Sequence, residues 1–157
     1  MQHNNLQYYA NNTPDGIHHA FCWEYLNEVD YGYGRKRELV LFAVVDETHS
    51  TLKLDENNQP LIAVAVCNPT QGKSGKAKLV KIKRALITPR HEISLLESYK
   101  YLPTMDDLVF CKEFQGDVYQ VKIENKTVND KRVSNVTHIY SYLENCFVDI
   151  RGVFDKK

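Results

Sequence analysis

From Glu38 onward the chain runs as short apolar stretches separated by polar breaks. LVLFAVV (39–45) is continuously apolar and predicts a strand buried on both faces. TLKL (51–54) and PLIAVAV (60–66) flank the polar segment DENNQ, which predicts a hairpin. KLVKIKRALI (78–87) alternates lysine with apolar residues, so the expectation is a strand with one wet face. LVFCKEF (108–114) predicts a further strand, and QGD (115–117) turns it into VYQVKIE (118–124). A polar loop, NKTVNDKR, then leads to a last strand pair formed by VTHIYSYL and CFVDIRG.

Two segments carry helical spacing instead. Thr13-Pro14-Asp15 supplies a capping hydroxyl, a proline at the first helical position and an acid in the first turn. His18, Phe21, Cys22, Tyr25, Leu26 and Val29 follow at intervals of one, three and four, the pattern of one helical face, up to Gly32-Tyr33-Gly34 and the basic link RKR (35–37). Residues 89–102 predict a second helix, with Ile93, Leu95, Leu96, Tyr99 and Leu102 as its buried side. Residues 1–12 are expected to form a loose polar N-terminal arm. The pattern as a whole predicts a single α+β domain over residues 1–157, a largely antiparallel sheet with two helices.

Composition narrows this picture. A 157-residue chain with 43% hydrophobic and 25% charged residues can bury a core and is not generally disordered. Twenty basic side chains balance twenty acidic ones, so no net field draws the molecule to nucleic acid or to a membrane. The apolar runs are too short for membrane-spanning helices, and MQHNNLQYYANN lacks the features of a secretory signal. The expected location is therefore cytoplasmic, in the manner of small bacterial or phage proteins. Cys22, Cys67, Cys111 and Cys146 form no CxxC pair, which favours reduced thiols. No cofactor is expected. GKSGK lacks the nucleotide-binding pattern, because Thr70 and Ala77 stand where a glycine and a hydroxyl are required. His18 and Cys22 are spaced as a metal pair, but no second dense pair accompanies them, so no metal is expected.

One constellation suggests catalysis. With Glu144-Asn145 as a two-residue turn, His138 becomes a diagonal neighbour of Asp149, about 7–8 Å away across the ladder. A carboxylate against an imidazole fixes its tautomer, and such a base beside a thiol makes a nucleophile. Cys22 in AFCWEYL, His138 in THIYSYL and Asp149 in FVDIRG occur in the order found in papain-like and transglutaminase-like thiol hydrolases, which the chain resembles in these short motifs. The resemblance implies that Cys22 attacks an amide or thioester, His138 shuttles the proton and Asp149 orients the ring.

A second constellation suggests binding. Between Asn57 and His91 there is no acid, while Lys73, Lys76, Lys78, Lys81, Lys83 and Arg84 cluster there. Such a surface suits a phosphate-rich or acidic partner, either protein or nucleic acid. The leading expectation is a binding, accessory or inhibitor-type protein that presents residues 73–84. The alternative is a thiol-dependent hydrolase or acyl transferase built on Cys22, His138 and Asp149.

Overall fold

The structure, a computed structural model, describes residues 10–30, 36–48, 51–67, 78–88, 105, 118–128 and 130–152. Its elements in chain order are β1 (Gly16–Asp30), β2 (Lys36–Val44), β3 (Ile62–Cys67), α1 (Lys78–Leu86), β4 (Tyr119–Val128), β5 (Lys131–Ser141) and β6 (Cys146–Asp149). The described part is thus mostly β, with one helix and a six-stranded sheet, which corrects the α+β expectation. The expected helix at 89–102 and strand at 108–114 lie outside the described residues.

The sheet runs β3-β2-β1-β4-β5-β6, and a parallel bridge between Val64 and Asn135 joins β3 to β5. Strands β1–β2–β3–β5–β4 therefore close on themselves as a five-stranded, partly open Greek-key barrel, with β6 added outside β5. Every other strand pairing among the described residues is antiparallel.

Strand alternation sorts two apolar sets. Val40, Phe42 and Val44 of β2, with Ala63, Ala65 and Cys67 of β3, fill the barrel together with Val121, Ile123, Val136 and Ile139. The intervening Leu39, Leu41, Ala43, Ile62 and Val64 pack outside the barrel in a second cluster with Ala10, Val29 and Val133. Both faces of β2 and β3 are covered, which is why their sequences are unbroken apolar runs. Each fully buried valine, leucine, isoleucine or phenylalanine among them contributes about 1.5–3 kcal/mol of transfer free energy.

Residues 14–31, expected as a helix, lie largely in β1. Two irregularities in its pairing with β2, at Cys22/Glu24 and at Leu26/Val29, shift the alternation along the strand. Side chains on one face then fall at mixed spacings of two and three, and residues of both faces together imitate a helical stripe. The opposite correction applies to residues 78–87, expected as a strand. Leu79, Ile82, Ala85 and Leu86 are spaced three, three and one apart, and all four are buried on one side of α1. They join the barrel's inner cluster. Lys83 and Arg84 in the last turn complement the helix dipole. Tyr119 donates its hydroxyl to the Leu86 carbonyl at 2.6 Å, engaging one of the orphan acceptors at the helix end.

Residues 10–13 bind beside the weak β3–β5 seam. Ser134 N–H donates to the Ala10 carbonyl at 2.6 Å, and the Thr13 hydroxyl donates to the Ile62 carbonyl at 2.9 Å. Asn12 donates its amide to Asp55 Oδ2 and to the Pro60 carbonyl, each at 2.9 Å, and accepts from Ile62 N–H at 3.1 Å. The segment from Ala10 to Thr13, expected as part of a loose arm and its junction, is tied to both barrel strands. Among the described residues no helix is long and apolar enough to cross a membrane.

Candidate functional site

Cys22 lies in β1 opposite Phe42, and both side chains belong to the inner cluster. The thiol is 1% exposed, and burial pushes its pKa up to about 12. A thiol so placed is protonated at neutral pH and closed to a substrate. It also sits mid-strand in β1 rather than on the helix expected there.

His138 and Asp149 do meet, and more directly than their sequence spacing suggested. Ser141 pairs with Cys146, so the turn comprises residues 142–145 rather than Glu144-Asn145 alone. Asn145 takes the left-handed backbone (φ 55°) that asparagine tolerates. Tyr140 then stands opposite Phe147, and His138 stands directly opposite Asp149. The Asp149 carboxylate is occupied by Arg151, which donates from Nε at 3.0 Å, from Nη2 at 2.8 Å and from its backbone N–H at 2.9 Å. This fork holds the Asp149 pKa well below the usual carboxylate range. The His138 ring nitrogen Nδ1 lies 2.9 Å from Thr137 Oγ1. Desolvation lowers the His138 pKa, with Asp149 opposing and Arg151 and Lys122 adding to the effect.

His138 pairs with Lys122 on β4, between the inward-facing Val121 and Ile123, so by alternation it lies on the outside of the barrel. Cys22 faces inward. The geometry brings His138 and Asp149 together, leaves Cys22 on the other side of the wall, and gives the hydrolase reading no support.

Of the basic candidates, Lys73 and Lys76 lie outside the described residues. Lys78, Lys81, Lys83 and Arg84 ride on α1 rather than on a strand edge. Lys81 donates to the Arg151 carbonyl at 3.2 Å, and Arg84 is exposed.

A different site emerges on the outer side of β1. A groove of about 560 Å³ is lined by Asn12, Trp23, Glu24, Leu41, Asp55 and Ile62 among others. Cys22 pairs with Phe42 and Glu24 with Leu41, which leaves Trp23 as the extra residue of a bulge. Bulges re-aim side chains, and here two consecutive residues of one strand line the same groove. Trp23 is 39% exposed, and its ring centroid lies 6.4 Å from that of Phe21.

The far wall is the 55–60 turn. Asp55 Oδ1 accepts from the backbone N–H of Asn57 at 2.8 Å and of Gln59 at 3.0 Å. Together with the Asn12 amide these bonds lower the Asp55 pKa and hold the turn in place, with Asn58 at a positive φ of 61°. Arg37 lies on the same side of β2 as Leu39 and Leu41 by alternation, about 13 Å along the strand from Leu41.

Sequence reasoning passed over Trp23, Glu24 and the turn. The available signals were the chain's single tryptophan, set between an apolar cysteine and a charged glutamate, and the run of amide side chains in DENNQ. Among the described residues, no group of three His, Cys, Asp or Glu side chains is placed to hold a metal ion. Compared with known proteins, the chain matches no family model and no curated sequence.

Proposed function

We propose that this protein is a binding module that takes single-stranded nucleic acid across the outer side of β1 and β2. The observation that carries this reading is the bulge that presents Trp23, beside Phe21, at the rim of an open groove. Aromatic faces of this kind stack bases of any sequence and are worth about 1–3 kcal/mol per base.

The architecture supports the reading. A five-stranded, partly open Greek-key barrel is the form of the OB barrel, which binds oligonucleotides or oligosaccharides on the face around its second and third strands. That likeness is one of connectivity alone, and fold by itself does not confer function. The specific support comes from Trp23, from the groove, and from cations at its margins. Arg37 extends the outward row of β2, Lys36 is exposed next to it, and the exposed Arg132 donates to the Thr13 carbonyl next to the groove-lining Asn12. The α1 cations Lys78, Lys83 and Arg84 add a second positive region for the backbone of a longer strand. This keeps the phosphate-rich partner read from residues 73–84 and moves the base contacts to a surface that the sequence did not reveal.

Fluorescence anisotropy with an end-labelled, mixed-sequence 15-nucleotide DNA strand tests this. The full-length protein is expected to bind at 50 mM salt and to weaken steeply by 200 mM, as counterion release requires. Trp23→Ala is expected to weaken binding about tenfold, in line with the loss of one stacked base. Absence of binding at low salt, or full affinity in a folded Trp23→Ala variant, would overturn the proposal.

A further inference from the structure

We infer that the groove at Trp23 reads the base it receives, favouring bases that carry an exocyclic amine over thymine and uracil, with Glu24 as the discriminating residue. This rests on the nucleic-acid reading above and assigns a selectivity within it.

The described lining of the groove holds two carboxylates, Glu24 and Asp55, and no cation. A phosphate would meet uncompensated negative charge there, so the groove suits a base and the phosphates belong at its margins. The two carboxylates differ in what remains available. Asp55 is committed to the turn through Asn57, Gln59 and Asn12. The Glu24 side chain is exposed, and among the described residues no hydrogen bond or ion pair engages its carboxylate. Its neighbour in sequence is the stacking ring, so a base laid on Trp23 brings its edge toward the Glu24 carboxylate.

An ionised carboxylate only accepts hydrogen bonds. The N4 amine of cytosine offers it a donor, whereas O4 of thymine at the same place presents a second acceptor. One well-made contact of this kind discriminates by about 1–3 kcal/mol, which corresponds to roughly 5- to 150-fold. Asn57 and Gln59, across the groove on the turn, carry amides able to serve the remaining edge atoms.

The test compares 15-nucleotide strands of deoxycytidine and of deoxythymidine on the full-length protein. At pH 8, where cytosine is not protonated and neither strand forms stable self-structure, the two share pyrimidine size and so isolate the edge. Wild type is expected to bind the deoxycytidine strand at least fivefold more tightly. Glu24→Gln, whose amide both donates and accepts, is expected to abolish that preference, bringing the ratio of the two affinities to about one. A thermal melt confirms that this exposed substitution leaves the fold intact. Equal affinity of wild type for both strands, or a preference that survives Glu24→Gln, would overturn the inference while leaving the binding function standing. Failure of wild type to bind either strand would remove both.

Discussion

Trp23 and Glu24 follow each other in β1 and line one groove, although strand alternation should send them to opposite sides. The bulge opposite Phe42 and Leu41 accounts for this, because Trp23 has no partner of its own in β2. An extra residue inserted for stability would be expected to pack, whereas this one remains 39% exposed. Trp23→Ala is accordingly expected to cost only about 1 kcal/mol or less in urea denaturation, well below the 3–5 kcal/mol typical of a core aromatic such as Phe42. A loss comparable to that of Phe42→Ala would make Trp23 a structural residue.

The thiols separate by burial. Cys146 is exposed in β6, while Cys22 and Cys67 are each 1% exposed. Iodoacetamide at neutral pH on the native protein, followed by peptide mass mapping, is expected to label Cys146 and to spare Cys22 and Cys67. Those two should react only after denaturant is added. Rapid native labelling of Cys22 would revive a thiolate nucleophile.

Acid should destabilise the protein in two steps. The folded-state pKa of His138 is lowered, chiefly by desolvation, so the unfolded chain binds its proton more readily. Its contribution is complete above the unfolded value near 6.5 and falls away as pH drops below it. The Asp149 pKa is also lowered, chiefly by the Arg151 fork, so its contribution is complete above the unfolded carboxylate value and is lost in stronger acid. Thermal melts from pH 8 to pH 3 are expected to show a falling Tm, with Asp149→Asn reducing stability at pH 7 by about 1 kcal/mol. A Tm that rises on acidification from pH 7 to pH 5 would contradict this account of His138.

Asn12 joins the N-terminal segment to the wall of the groove through three hydrogen bonds, to Asp55, Pro60 and Ile62. Asn12→Ala is expected to cost about 2 kcal/mol in denaturant unfolding, since partly buried partners on the turn and on β3 lose their bonds. It should also loosen the 55–60 turn, detectable as faster amide exchange at Asn57 and Gln59. Unchanged stability and exchange would show that the turn holds itself.

Much of the β structure was legible in the sequence because its physical cause is local. Buried both sides, β2 and β3 read as apolar runs, and β4 and β5 carry their alternation openly. The helical reading of β1 failed because its bulges change the phase of alternation, and a bulge depends on the partner strand. The strand reading of residues 78–87 failed because Lys81 and Lys83 on either side of Ile82 fit strand alternation as well as a helix; only packing of Ile82 and Leu86 into the barrel decides between them. The nearness of His138 to Asp149 was readable, since a hairpin is a short-range object, and Arg151 two residues on was a visible partner for Asp149; the direct register and the separation from Cys22 were not. The groove was illegible for the same reason as the bulge. It joins residues 12, 23–24 and 55–60, which only the closed barrel brings together.

Because Trp23 is the chain's single tryptophan, its emission reports directly on the groove. Titration of the full-length protein with an unlabelled 15-nucleotide deoxycytidine strand at 50 mM salt measures it. Saturable quenching of the emission, reversed by raising the salt, is the result predicted for a base stacked on that ring. An emission spectrum that stays constant while binding is seen by another method, or no binding at all, would contradict the placement of nucleic acid on this face.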